Sequence, residues 1–415
     1  MKNLAWTNAL KSFADDGPIY VAGCCGEPTA FLDALEEDPD LARGRTLTGV
    51  WIPGVNQRDP TRTGQRKALT SFVTPSLQVA IKEQRANVMP MHYSSTYKWL
   101  GNAAGLAGGI FQVSPPRDGT VSLGVSADFT PSVVASKVPL IGQINAAMPE
   151  IIDSPRIPLD RFGHLIEAET SLVEYEAGSI NEIYAAIGRN VAELIDDADT
   201  VQFGLGKLQT AVLAALNNHR SLKLHGGMIS PGILTHLTDG SFNHATIGVA
   251  LGDREFYAQI ANEKRISFKP VSFTHSATTL AAIKSFVSVN SILEVDLFGQ
   301  GNGEFLGETQ ITGHGGLVDF IRGAALSEQG RSILALPATA RQGTISRITP
   351  SLGSSVPITI NRADIDWIVT EYGAACLKHA TIQQRANRLI EIAAPKFRTE
   401  LANAWEMNCR KGLKI

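Results

Sequence analysis

The sequence predicts two tandem, internally related open α/β domains with mainly parallel sheets. Three observations carry this. At 415 residues the chain is too long for one comfortable hydrophobic core. The stretch "DDGPIYVAGCCGEPTAFLDAL", residues 15–35, aligns without a gap on "DDADTVQFGLGKLQTAVLAAL", residues 196–216, at a constant offset of 181 residues. Short β-rich runs such as "HATIGVAL", "SILEVDLF" and "RSILALP" alternate with helical ones such as "LVDFIRGAALSEQG".

Each copy of the repeat contains the same parts: an amphipathic run, an acidic turn, a short apolar strand, a glycine loop and a further helical run. The second copy is led by "SINEIYAAIGRNVAELI", whose Ile180, Ile183, Ile187, Val191 and Leu194 recur at helical spacing. That lead-in sets a domain boundary near residue 180, giving domains 1–180 and 181–415. "QVSPPRDGTVSLGVS" reads as two strands about a turn containing proline and Asp-Gly. "VNSILEVDLFGQGNG", residues 289–303, reads as a strand that places Glu294 and Asp296 on one face with Asn290, Ile292 and Phe298. "VTEYGAACLKHA" ends a strand with Glu371 and Gly373 before another helix. The last helical region is interrupted by Pro395 and carries Arg385, Arg388, Lys396 and Arg398.

A formal charge of −3 leaves no polyelectrolyte footprint, so nucleic acid is not an expected partner. Cys24, Cys25, Cys376 and Cys409 are too scattered for a disulfide framework or a metal site, which predicts no metal and a reducing, cytoplasmic location. No signal-peptide core and no apolar run of about 18 residues is present, so no membrane association is expected.

Several motifs can carry chemistry, and each has a plainer reading. Gly204 and Gly206 lie between a strand and a helix, where backbone amides can meet an anion or merely turn the chain. A dinucleotide fingerprint needs a third glycine where Gln209 stands. Cys24 and Cys25 lack a marked partner base and read as structural thiols. His225 opens an "HGG" like the oxyanion loop of lipases, but no GxSxG elbow supplies a serine. The "TGHGG" loop, with Gly315 and Gly316, is a close-approach loop or a surface turn. Two carboxylates on one strand face are more often solvated or paired than catalytic.

Taken in order and spacing, "VSPPRDGTVSLGVSADF", "VQFGLGKLQTAVLAAL", "LHGGMIS", "VNSILEVDLFGQ", "GHGGLVDFIRGA", "ADIDWIVTEYGAACL" and "RANRLIEIAAPKFR" resemble the acetyl-CoA hydrolase/transferase family. That family includes acetate and 4-hydroxybutyrate CoA-transferases among the glutamate-dependent (class I) CoA-transferases. The resemblance implies a CoA-transferase-like fold, coenzyme A as co-substrate and no tightly bound cofactor. It also implies acyl-CoA and small carboxylate substrates, and a homodimer or higher homo-oligomer. Glu294 would be the nucleophile, forming a glutamyl-CoA thioester with ping-pong kinetics. Gly204 and Gly206 would face the oxyanion.

The resemblance further places CoA contacts on Val271, Ser272, Phe273, Thr274 and His275, on Gly315, Gly316 and Gly373, and on Lys396 as a phosphate partner. Asn145 and His225 would belong to the substrate pocket, with the reaction in a cleft between the halves. Asp296 would either raise the pKa of the glutamate or accept structural hydrogen bonds, and the structural role is preferred. The chain departs from relatives at Gly227, where they carry an acidic residue, and at Lys207, Gln209 and His379. These changes bear on substrate identity more than on reaction type. Competing expectations are an acyl-CoA hydrolase using the same glutamate, a nicotinamide-dependent oxidoreductase, and a non-catalytic acyl-CoA-binding protein.

Overall fold

The computed structural model describes residues 2–412, which fold into two compact units. The first comprises the described part of Met1–Glu176 with Gly226–Pro231 and Ala245–Ser276. The second comprises Ala177–His225, Gly232–His244 and the described part of Ala277–Ile415. This differs from a contiguous division at residue 180, and main-chain hydrogen bonds give the reason. Ala127 N donates to Gly248 O (2.8 Å), Ala250 N to Val125 O (3.0 Å) and Phe268 N to Asp153 O (2.7 Å), so later segments complete the first unit.

In the first unit seven strands lie in the order Ala86–Val88, Lys67–Thr70, Thr46–Gly49, Ile19–Val21, Gly108–Val113, Leu140–Ile144, His164–Glu167. Every neighbouring pair is parallel. Ile19, Val21, Leu47, Ile110 and Ile141 are fully buried, as strands covered on both faces require. The helix Thr29–Glu37 buries Phe31, Leu32, Ala34 and Leu35, and the Trp6 ring lies 5.2 Å from that of Phe31. The runs on either side of Asp118 and Gly119 are both strands, but they enter different sheets. Gly108–Val113 joins the main one, while Thr120–Ser122 pairs antiparallel with Arg156–Pro158.

Cys24 and Cys25 lie in a single 3₁₀ turn, Cys24–Gly26, after the strand Ile19–Val21. The Cys25 thiol is 2.9 Å from Ala250 O and 3.0 Å from Tyr257 Oη, and burial pushes it up to about 12. Such a thiol stays protonated and inert at neutral pH.

The main sheet of the second unit contains, in order, Leu222–His225, Thr200–Phe203, Phe286–Ser291, Arg331–Ala335, Trp367–Thr370 and Gly373–Cys376. All pairs are parallel except the last. The duplicated segments occupy equivalent places. Ile19–Val21 runs parallel between Thr46–Gly49 and Gly108–Val113, and Thr200–Phe203 runs parallel between Leu222–His225 and Phe286–Ser291. The helix Glu182–Ala192 starts where the Asn181 side chain accepts from Tyr184 N, and it buries Ile187 and Val191. It packs on the helix Lys207–Ala215 so closely that a Cβ at Gly188 would lie 2.5 Å from Ala211 O.

Three local expectations are corrected by the structure. "VNSILEVDLFGQGNG" is not one strand: Phe286–Ser291 ends in the main sheet, and Glu294–Asp296 belongs to a small three-stranded sheet with Gly301–Asn302 and Ile348–Thr349. The change of partner is the cause. Ile292 N still donates to Ala335 O (3.2 Å), but Leu293 N donates to Asn302 O (2.8 Å) and Val295 N to Arg347 O (3.0 Å). "VTEYGAACLKHA" forms a hairpin, in which Thr370 is paired with Gly373 and Trp367 with Cys376, rather than a strand leading into a helix. Pro395 begins the helix Pro395–Arg410 instead of interrupting one, as a residue without an N–H does at a first turn. The preceding helix, Ile382–Glu391, is started by a capping box of Thr381 and Gln384.

Candidate active site

The site grows from the end of a central parallel strand, where α/β folds gather ligands. Phe286–Ser291 delivers the chain to Ile292 and Leu293, and Glu294 follows at the start of its own short strand. Ile292, Val295, Leu297 and Phe298 are buried in one apolar cluster with Leu334, Ile348, Leu377 and Trp405. The Phe298 and Trp405 rings meet edge to face at 5.3 Å. Glu294 itself is half-buried. Its Oε2 accepts a hydrogen bond from Asn302 Nδ2 at 3.1 Å, and its main chain stands opposite Asn302 in an antiparallel pair.

Asp296 is fully buried and structural in its contacts. Its Oδ1 accepts from Phe298 N (3.1 Å) and Gln300 N (2.9 Å), and its Oδ2 from Gln300 Nε2 (2.7 Å) and Leu352 N (3.4 Å). Burial raises its pKa, and these donors offset only part of that.

A cleft of about 330 Å³ lies in the second unit. It is lined by Ser291, Ile292 and Leu293, which lead into Glu294, and by Leu205, Lys207 and Leu208 of the glycine loop and its helix. Gly303, Thr312, Pro337 and Arg347 also border it. Gly206 has φ +103° and ψ −165°, a conformation that suits glycine, and Lys207–Ala215 begins directly after it. The first amides of that helix have no partner within it. Arg347 Nη1 donates to Leu293 O at 3.0 Å, so a cation supports the peptide beside the glutamate. Neither Arg347 nor Asn302 was singled out by the sequence, although Asn302 lies in the same glycine-rich stretch as Glu294.

The other expected residues scatter. Gly315 and Gly316 precede the helix Leu317–Leu326, and Thr312 of their loop borders the cleft. Beside that loop, Glu304 is buried; burial raises its pKa, but the hydrogen bond and charge of His314, with hydrogen bonds from Thr359 and Gln310, outweigh this and hold it below the usual carboxylate range. Gly373 begins the last strand of the sheet. Lys396 is exposed, its Nζ 5.1 Å from the centroid of the Phe397 ring, and it does not line the cleft. His225 is buried, edge-on to Phe286 at 6.2 Å, and also lies outside the lining.

Asn145 and residues 271–275 belong to the first unit. The Asn145 amide is occupied there: Nδ2 donates to Gln112 Oε1 (2.6 Å) and Thr170 O (2.9 Å), and Oδ1 accepts from Ala147 N (3.0 Å). Val271, Thr274 and His275 are buried, whereas Ser272 and Phe273 are exposed. The Thr274 hydroxyl is 2.9 Å from His275 Nδ1, and the His275 ring is 5.1 Å from that of Tyr93. Among the described residues no group of three His, Cys, Asp or Glu is placed to hold a metal ion, and no helix is long and apolar enough to cross a membrane.

A mixed α/β fold with mainly parallel sheets is the fold expected of an acyl-CoA:carboxylate CoA-transferase. Comparison with known proteins bears this out, and the chain belongs to the acetyl-CoA hydrolase/transferase family. The family model described as the acetyl-CoA hydrolase/transferase C-terminal domain matches residues 252–405. A 4-hydroxybutyrate coenzyme A transferase from Clostridium kluyveri is 32% identical over 414 residues, covering 96% of each protein. Among solved structures, RipA from Yersinia pestis superposes with a TM-score of 0.89 at 27% identity, over 99% of this chain and 97% of that one. A 4-hydroxybutyrate CoA-transferase from Porphyromonas gingivalis superposes with a TM-score of 0.78 at 29% identity, over 99% and 97%.

Proposed function

We propose that the enzyme moves CoA between an acyl-CoA and a free short-chain carboxylate through a glutamyl-CoA thioester on Glu294. One Glu294 oxygen attacks the thioester carbonyl, the C–S bond breaks, and CoA leaves as thiolate from a mixed acyl-glutamyl anhydride. The thiolate attacks the glutamyl carbonyl and releases the first acid as its carboxylate. An incoming carboxylate repeats these steps in reverse, leaving as the new acyl-CoA and restoring Glu294. The observation that carries this reading is the cleft shared by the glycine loop and the segment leading into Glu294. Helix-start amides in such a place suit a developing oxyanion, and Leu205, Leu208, Ile292 and Leu293 give part of the wall an apolar surface that limits water at the activated intermediates.

The relatives named for 4-hydroxybutyrate make short hydroxy and simple acids the first substrates to try. Ser272, Phe273, Gly315, Gly316, Gly373 and Lys396 are proposed to contact CoA. The assembly is proposed to be a homo-oligomer in the cytoplasm. A nicotinamide-dependent activity is not retained, given the family.

The test is mass spectrometry after incubation with acetyl-CoA or butyryl-CoA. A CoA-sized addition is expected on the wild type and none on Glu294→Ala, and borohydride should then inactivate only the acyl-CoA-treated wild type. A wild type unchanged by a panel of acyl-CoAs would leave a binding protein. A second reading, hydrolysis of the same thioester, has support in the family's own description, which names both reactions. CoA release indifferent to added acetate, propionate or butyrate would favour it.

A further inference from the structure

We infer that Asn302 is the positioning residue of the Glu294 carboxylate; this rests on the glutamyl chemistry proposed above and names the group that aims it. Asn302 is 0% exposed, and both halves of its amide are committed. Oδ1 accepts from Glu304 N (3.1 Å) and Phe305 N (2.9 Å), while Nδ2 donates to Phe305 O (2.8 Å) and Glu294 Oε2 (3.1 Å). Turning this amide over would set its NH₂ against two N–H donors and its oxygen against a carbonyl and a carboxylate. The donor facing Glu294 is therefore fixed.

Register puts it there. Glu294 and Asn302 are direct partners across the antiparallel pair, and Leu293 N donates to Asn302 O at 2.8 Å, so the side chain moves with the strand that carries the nucleophile. Glu294 Oε2 is held, while Oε1 accepts no hydrogen bond among the described residues. The terminal torsion of a glutamate is broad, yet attack needs the free oxygen within about 3–3.5 Å of the carbonyl carbon. A neutral buried donor restricts that torsion without pairing the carboxylate itself with a positive charge, the Arg347 cation being bound to the Leu293 carbonyl instead. A cation in the same place would hold the carboxylate more firmly and blunt its attack.

The experiment compares the wild type, E294A, N302D and N302S for single-turnover adduct formation and steady-state transfer from about pH 5 to 9. N302D keeps an acceptor for Glu304 N and Phe305 N but turns an oxygen toward Glu294. Adduct formation is expected to slow by roughly 10- to 100-fold at neutral pH, with KM for acyl-CoA changed by less than about threefold. N302D should recover partly in acid, where the facing carboxyls share one proton, and so gain an acidic optimum that the wild type lacks. N302S should be slow without that recovery. A merely structural asparagine would leave the shape of the pH profile unchanged. If N302D fails to fold, by thermal unfolding, N302S alone decides the rate comparison. Wild-type rates and profile in a folded variant, with E294A inert, overturn the role of Asn302 and leave the glutamyl chemistry standing. An adduct on E294A, or none on the wild type, overturns the chemistry itself.

Discussion

Glu294 and Asp296 stand two residues apart on one three-residue strand, but among the described residues Asp296 has both oxygens occupied and Glu294 has one unbonded. Asp296 is fully buried and gathers main-chain donors from Phe298, Gln300 and Leu352, so it shapes the turn that follows. Glu294 is half-buried, with its main chain fixed on both sides by neighbouring strands. The two acids thus divide into a framework group and the one proposed to react.

Glu294→Gln keeps the shape of the side chain and removes the proposed nucleophile. Transfer should fall by at least about a thousandfold, while stability in urea changes by no more than about 0.5 kcal/mol. A variant that retained transfer would place the chemistry elsewhere.

Asp296→Asn should show the opposite balance. Its amide can satisfy the Phe298 and Gln300 N–H groups but sets an NH₂ toward Leu352 N, so a loss of about 1–3 kcal/mol is expected in urea unfolding. Adduct formation should persist in the folded fraction, because no atom of Asp296 is needed for the covalent steps.

The periodic parts of this fold were legible in the sequence. The helical spacing of Ile187 and Val191 marks residues that the structure buries, and the repeat marks two strands with equivalent neighbours. The apolar run around Glu294 misled because its period does not change where its partners do. Between Ile292 and Val295 the partner changes from Ala335 to Asn302 and then Arg347, and only tertiary contacts record that. Asn302 left a usable signal. Gly299, at φ +82°, and Gly301 after "EVDLF" announce a reversal that sets residue 302 opposite 294. The return of Ala245–Ser276 to the first unit left none, since it rests on main-chain bonds between residues far apart in sequence.

Gly206→Ala places a Cβ at φ +103°, which should cost about 1–3 kcal/mol of stability if the loop holds its shape. If the loop relaxes instead, the amides of the Lys207–Ala215 helix shift from the cleft and adduct formation slows. Thermal unfolding and single-turnover rates measured together separate the two responses. A variant unchanged in both would show that the loop geometry matters to neither.

Two carboxyls of the first unit make its stability depend on pH. Burial pushes Glu27 up to about 7, offset in part by the hydrogen bond from Asn56 Nδ2 (2.7 Å), and burial pushes Asp128 up to about 7, offset in part by Phe129 N (2.7 Å). In the unfolded chain both titrate near the ordinary value of about 4. Between about pH 4 and 7 the folded state therefore holds protons that the unfolded state releases, and stability from these groups falls as pH rises through that window. Above it the penalty is constant. Glu27→Gln and Asp128→Asn do not titrate, so each should lose less stability than the wild type between about pH 5 and 8, by on the order of 1–3 kcal/mol. Urea unfolding at several pH values measures the slope, and wild-type slopes in both variants would mean that these carboxyls are already ionised in the fold.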